Sequence, residues 1–207
     1  MNPLPRKVRD KLLRRSDILN AAIRVFAEKG YHKTTMSDIA RQAEYAVGTI
    51  YLYFKDKQAL YLALTDEKVD ELIKRVKERI GKADGALEKI RALIEEEFVY
   101  FEENDDFFRI YFSQGSLDRW AIKDKPSRET VEKMMQFLDY ISGIIEKAQD
   151  ENIIKKGLDP KRTAHLLGGM IKSVIIPWLK DKPAKNETLS GLSGFILDAF
   201  LNGTAVK

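Results

Sequence analysis

The sequence predicts an all-α protein of about nine helices, with a small basic head at residues 1–56 and a larger helical body at residues 57–207. Three observations predict this. Apolar residues recur at helical spacing along almost the whole chain. No stretch alternates with a period of two between turn residues, so no sheet is expected. The breaks fall on residues that end or start helices: Gly30, the stretch 81–85, the pair Asp159-Pro160, and Gly203.

Residues 1–9 read as a loose arm. Pro3 and Pro5 precede Arg6, Lys7 and Arg9, which could reach phosphates or an adjacent minor groove, or simply form a solvated terminus. A helix over 10–29 follows on the spacing of Ile18, Leu19, Ala22, Ile23 and Phe26, and Gly30 ends it. His32, in the loop beyond, reads as surface. Thr35 is placed to cap a second helix, its hydroxyl reaching the N–H of Asp38 while the Asp38 carboxylate reaches back. Ile39, Ala40 and Ala43 give that helix its apolar face. After a break at 44–46, a third helix starts at Val47 and ends near Phe54. At roughly a hundred degrees per residue, Val47, Ile50 and Phe54 share a buried face. Gly48, Thr49, Tyr51, Leu52 and Tyr53 point elsewhere. An apolar hook with small and hydroxyl-bearing residues opposite it fits a helix laid into the major groove of DNA.

The segment GTIYLYFKDKQALY, preceded by TTMSDIARQA and by an amphipathic helix ending at Gly30-Tyr31, closely resembles the TetR family of bacterial helix-turn-helix transcriptional regulators. The resemblance covers about residues 10–65; residues 66–207 match in architecture only. It implies a double-stranded DNA operator as partner, with Thr35, Tyr51 and Lys57 on phosphates and Gly48, Thr49 and Tyr53 near base edges. One departure stands out. Family members usually carry Gly in the turn, where this chain has Ala43-Glu44-Tyr45. A positive-φ conformation at Glu44 would cost about 1 kcal/mol.

Asp56 is placed to cap a long helix over 57–80. Lys57 in its first turn makes that helix end a ready phosphate site. Residues 58–64 are apolar enough to pack against the head, and Val69, Leu72, Ile73, Val76 and Ile80 continue the stripe. Charge separates head from body. Residues 1–58 hold 12 Lys and Arg against 6 Asp and Glu, whereas the remainder holds 24 against 26. A basic head on a slightly acidic body is the footprint of DNA binding on one side and partner binding on the other.

Composition bounds the class. The chain has 207 residues, 44% hydrophobic and 33% charged, and no cysteine. It therefore carries no disulfide or thiolate metal site, and a reducing compartment is expected. The longest apolar run, 174–179, is far too short for a membrane span and contains Pro177. The basic N-terminus lacks the apolar core of a secretory signal. A soluble, cytoplasmic protein without membrane association is expected.

The body reads as helices over about 85–104, 106–119, 127–152, 160–181 and 186–202. Phe98, Tyr100, Phe101, Phe107, Phe108, Tyr111, Phe112 and Trp120 crowd its first part, and Met134, Met135, Phe137, Leu138, Tyr140 and Ile141 follow. Core packing accounts for most of these. The family resemblance implies an effector cavity here, between the helices at 85–119 and the helix at 127–152. Candidate lining residues are Phe101, Phe108, Tyr111, Phe112, Met134, Phe137, Leu138 and Ile141, a set suited to an apolar ligand such as a fatty acid or acyl-CoA. Arg109 or Arg119 could meet a carboxylate or phosphate at the mouth.

The acidic run Glu95, Glu96, Glu97, with Glu102, Glu103, Asp105 and Asp106 beyond, reads as a solvated face. His165 stands alone on its helix. Two histidines and no cysteine argue against a transition-metal site. No GxGxxG, GxxxxGK[ST] or GxSxG segment is present, so neither an enzyme nor a cofactor is expected.

The last two helices look like an association surface. Leu166, Leu167, Gly169, Met170, Ser173, Val174 and Ile176 crowd one, and Leu189, Leu192, Phe195, Ile196, Ala199 and Phe200 stripe the other. Gly168, Gly169 and Ser173 would allow a second helix close approach. In the family, these helices from two subunits form a four-helix homodimer interface. The reading is a DNA-binding regulator, a repressor released by an apolar small-molecule effector. The alternative is an interaction protein of the same fold controlled by a protein partner, which would need no cavity.

Overall fold

The structure, a computed structural model, describes residues 5–113, 127–180 and 188–204. Among these it holds nine α-helices and a 3-10 turn at Ser190–Leu192, with no strand. The described residues form two compact units. One comprises 5–65 and 106–113, and the other comprises 66–105, 127–180 and 188–204.

In the first unit, α1 (Arg6–Lys33) begins within the stretch read as a loose arm. Pro5 presets φ at −51°, and its carbonyl accepts the N–H groups of Val8 and Arg9 at 2.9 and 3.1 Å. Proline lacks only a donor that the first turn does not use. Gly30 does interrupt the helix, at φ 74° and ψ 156°, and one further turn runs to Lys33. Ile18, Leu19, Ala22 and Phe26 are buried, with Ala21 and Val25 beside them.

α1 packs on α2 (Met36–Gln42), which packs on α3 (Val47–Tyr51). The capping box at Thr35 and Asp38 forms as expected. Glu44 does adopt positive φ, 59°. Around it Tyr45 N–H donates to Ala40 O and Glu44 N–H to Arg41 O, at 3.0 and 3.2 Å. These are the two bonds of a Schellman ending, with glutamate where glycine is usual. α3 stops at Tyr51 rather than Phe54, because Leu52 N–H turns back to Thr49 O in a tighter bond. Ile50 and Phe54 are buried, but Val47 is not; as the first residue of so short a helix it stays 38% exposed. Asp56 accepts the N–H of Ala59 at 2.7 Å and so caps α4 (Lys57–Ile80).

The first turns of α4 belong to this unit and the rest to the second. There α4 is bolted to α5 (Gly85–Glu103) by polar groups. Arg75 donates to Glu96 at 2.7 Å and to Glu103 at 2.5 Å, and lies over the Tyr100 ring. Arg79 pairs with Glu95 at 3.3 Å. The buried Tyr100 donates its hydroxyl to Lys68 O at 2.8 Å and to Glu71 at 3.0 Å. The acidic run is therefore not a simple solvated face. Three of its members are partners for arginines on α4, and Glu102 accepts the N–H of Ser190 at 3.2 Å.

α6 (Asp105–Ser113) carries an aromatic run. α7 (Arg128–Asp150) is capped by Ser127, which accepts from Thr130 N–H at 3.0 Å. Thr130 and Ser127 also donate to Asp66 on α4. Asp159 caps α8 (Pro160–Lys180) through Arg162 N–H at 2.7 Å, as the Asp-Pro pair predicts. α7 packs on α8, and α5 on α7 and on α9 (Ser193–Thr204). Asp84 makes no cap for α5. Instead Glu151, sixty-five residues on, accepts Ala86 N–H at 3.0 Å. Phe98, Tyr100, Ile145, Leu167, Ile175 and Phe200 form the core of this unit.

Candidate functional site

The candidate recognition surface lies on α2, the turn and α3. Gly48, Thr49, Tyr51 and Tyr53 all keep solvent contact, Gly48 and Tyr51 being exposed and Thr49 and Tyr53 half-buried. Leu52 beside them is 81% exposed. A Cβ built on Gly48 would meet nothing within 4 Å. The fold thus gives no steric reason for glycine there, and the bare backbone faces outward. Thr35 is exposed, but its hydroxyl is engaged with Asp38 at 2.8 Å. Asp38 also takes Lys29 at 2.6 Å and Arg41 at 3.0 Å. The bond from Lys29, followed by those from the Thr35 hydroxyl and N–H, holds its carboxyl well below the usual carboxylate range. Tyr45 donates its hydroxyl to Asp17 at 3.0 Å, tying the turn to α1.

Lys57 differs from the other five candidates. Its ammonium donates to Tyr31 O at 2.6 Å, Thr34 O at 2.7 Å and His32 O at 3.2 Å. It also lies 4.5 Å from the centre of the Tyr31 ring. Burial alone lowers its pKa, while three carbonyl oxygens and a ring face favour the charged form.

The candidate effector residues fall in both units. In the first, Phe108, Tyr111 and Phe112 on α6 form a continuous ring cluster, with centroids 5.2–6.4 Å apart. In the second, Phe101 and Ile141 are buried, Phe137 and Leu138 are partly so, and Met134 is 43% exposed. Phe137 stacks on Tyr140. Arg109 is partly buried, while Arg119 and Trp120 lie outside the described residues.

Sequence reasoning read Glu97 as part of a solvated face. It sits on the same stripe of α5 as Ile90, Leu93, Ile94 and Phe101, all buried. Among the described residues its carboxyl makes no hydrogen bond or ion pair. Glu97 itself is half-buried, but the apolar side chains packed around its carboxyl push its pKa up to about 7, with Lys172 on α8 opposing. Its two acidic neighbours concealed it, since a run of three glutamates carries no periodic signal of its own.

The expected association surface is only partly exposed. Leu167, Leu189, Ile196 and Phe200 are buried in their own unit. Leu166 and Phe195 are left outside, Phe195 65% exposed. Beside them the start of α8 and the end of α9 enclose an open groove of about 480 Å³, lined by Leu158, Arg162, Leu166, Met170, Ala199 and Phe200. His165 Nδ1 lies 2.9 Å from Lys161 O on an exposed face. Among the described residues no group of His, Cys, Asp or Glu could hold a metal ion, and no helix is long and apolar enough to cross a membrane.

Comparisons with known proteins cover both units. Residues 18–64 match the model described as bacterial regulatory proteins, tetR family, and residues 65–189 match the YsiA-like protein C-terminal region. The fatty acid metabolism regulator protein of Bacillus subtilis is 29% identical over 190 residues, spanning 90% of this chain and 93% of the relative. The crystal structure of the Bacillus subtilis transcriptional regulator FadR in complex with stearoyl-CoA superposes with a TM-score of 0.75. It is 30% identical and covers 91% of this chain and 98% of that one. The fatty acid degradation regulator FadR of Bacillus halodurans shares the fold at a TM-score of 0.76 and 23% identity, over 91% and 98% of the two chains.

Proposed function

Because the chain belongs to the TetR family of bacterial DNA-binding transcriptional regulators, we propose that it is a repressor released from its operator by a long acyl-CoA ester. The observation that carries this is the extent of the likeness. It runs through the body, not the head alone, to a structure holding stearoyl-CoA at 30% identity. Phe101, Phe108, Tyr111, Phe112, Met134, Phe137, Leu138 and Ile141 are the residues assigned to the acyl chain. Aromatic and methionine side chains suit a flexible apolar ligand. Gly48, Thr49 and Tyr53 are assigned to base edges, and Thr35 and Tyr51 to phosphates.

The repressor acts as a homodimer through α8 and α9, with Leu166 and Phe195 in the seam. Two heads must meet successive major grooves, about 34 Å apart or a multiple of this. To act, the effector must bind the DNA-incompetent arrangement better by a few kcal/mol. The test is a titration of acyl-CoA esters of increasing chain length against the operator complex. Release that strengthens with chain length supports the proposal, and indifference to every ester overturns it.

A further inference from the structure

We propose that Lys57 is a positioning residue for operator recognition: its ammonium clamps the corner between α1 and α2 onto the start of α4, and is not itself a phosphate contact. The inference rests on the DNA-binding reading of the head.

The carbonyls at the end of α1 need partners. A helix leaves its last C=O groups without intrahelical donors. Here the problem is sharpened, because Gly30 breaks the helix at positive φ and Thr34 then turns extended, at φ −77° and ψ 137°. Thr34 N–H returns to Tyr31 O at 3.3 Å, and the Thr34 hydroxyl donates to Gly30 O at 2.8 Å. The oxygens of Tyr31, His32 and Thr34 converge on a single point, and the Lys57 ammonium occupies it.

An ammonium has three N–H donors and no more. Each of the three meets a carbonyl, so none is left for a phosphate. A positive charge also complements the C-terminal end of α1, whereas at the N-terminus of α4, where Lys57 sits in the chain, it opposes the helix dipole. The placement therefore serves α1. The clamp is anchored on both sides. Tyr31 is buried with its ring 5.5 Å from Phe26 and 5.1 Å from Tyr61 of α4. Thr34 adjoins Thr35, whose capping box fixes the first turn of α2. One lysine thus sets where α2 begins relative to α4, and α3 follows α2 through the Schellman turn.

The experiment measures operator affinity across a salt series for the wild type, Lys57→Met and Lys57→Arg. A phosphate contact contributes about 1 to the slope of log affinity against log salt. If Lys57 positions the head, Lys57→Met loses affinity about tenfold or more at every salt concentration while the slope holds. Lys57→Arg does not restore it, because a planar guanidinium cannot converge on three carbonyls as an ammonium does. A slope lower by about 1 in Lys57→Met, restored by Lys57→Arg, overturns the proposal. Should Lys57→Met fail to fold, the wild type supplies the second measurement. A scalar coupling between the Lys57 ¹⁵N and an operator ³¹P would overturn the clamp. An ammonium resonance unchanged on operator binding supports it. If the wild type shows no salt-dependent operator binding at all, the underlying reading fails instead, and the two failures are distinct.

Discussion

Replacing Glu97 by Gln isolates the one carboxyl group carried on the buried stripe of α5. In the folded protein its pKa is pushed from 4.5 up to about 7 by burial. A carboxyl with a raised folded pKa holds its proton more tightly when folded, so ionising it costs stability. Below pH 4.5 both states are protonated and the cost is absent. It accumulates as pH rises from 4.5 to 7 and is complete above 7. At about 1.4 kcal/mol per unit, this interval corresponds to about 3 kcal/mol. Some surface contact and the opposing charge of Lys172 place the expected figure at about 2–3 kcal/mol.

Gln has nearly the shape of the protonated acid and does not titrate. The stability difference between Glu97→Gln and wild type should therefore be near zero at pH 4.5 and grow to about 2–3 kcal/mol in favour of the variant at pH 8. Urea unfolding at several pH values measures it, with protomer concentration held fixed because a dimer's stability depends on concentration. Titrations elsewhere in the molecule cancel in the difference. A difference that is flat between pH 5 and 8, or that shrinks as pH rises, would refute the reasoning.

Three further substitutions probe the head and the seam. Glu44→Gly should raise stability by about 1 kcal/mol, since only the side chain's cost at positive φ is removed; a thermal melt unchanged or lowered would count against the Schellman ending. Gly48→Ala should leave the head at least as stable, by up to about 1 kcal/mol from helix propensity, yet weaken operator binding, which a gel-shift and a melt on the same sample separate; undiminished binding would move the base-edge contact elsewhere. Phe195→Asp places an unpaired charge in the proposed seam at a cost of several kcal/mol, so light scattering should show monomers, and a persistent dimer would relocate the interface.

Features signalled within a few residues were legible in the sequence. The Thr35–Asp38 box, Asp56 before α4 and Asp159-Pro160 before α8 each rest on a side chain and a backbone group four or fewer positions apart. Interactions between distant helices were not. Glu151 caps α5 from sixty-five residues away, and Glu96 and Glu103 show their use only when α4 brings Arg75 against them. Locally, such glutamates are indistinguishable from a solvated face. The apolar stripes on α8 and α9 were visible, but periodicity could not say that Leu167, Leu189, Ile196 and Phe200 would be consumed internally.

Lys57 shows the same limit at a single residue. A motif fixes the residue type at a position, and a lysine at a helix start beside a recognition helix is chemically suited to phosphate. Whether its three donors are available is decided elsewhere, by where other acceptors point. Here that decision is made by Gly30, twenty-seven positions earlier in the chain, whose φ of 74° interrupts α1 before its last turn and redirects the carbonyls that follow. A side chain at Gly30 would meet no atom within 4 Å, so glycine is needed there for the backbone conformation and not for space. Gly30 and Lys57 therefore work as one device: the first lets the carbonyls of Tyr31, His32 and Thr34 come together, and the second closes that cluster from α4.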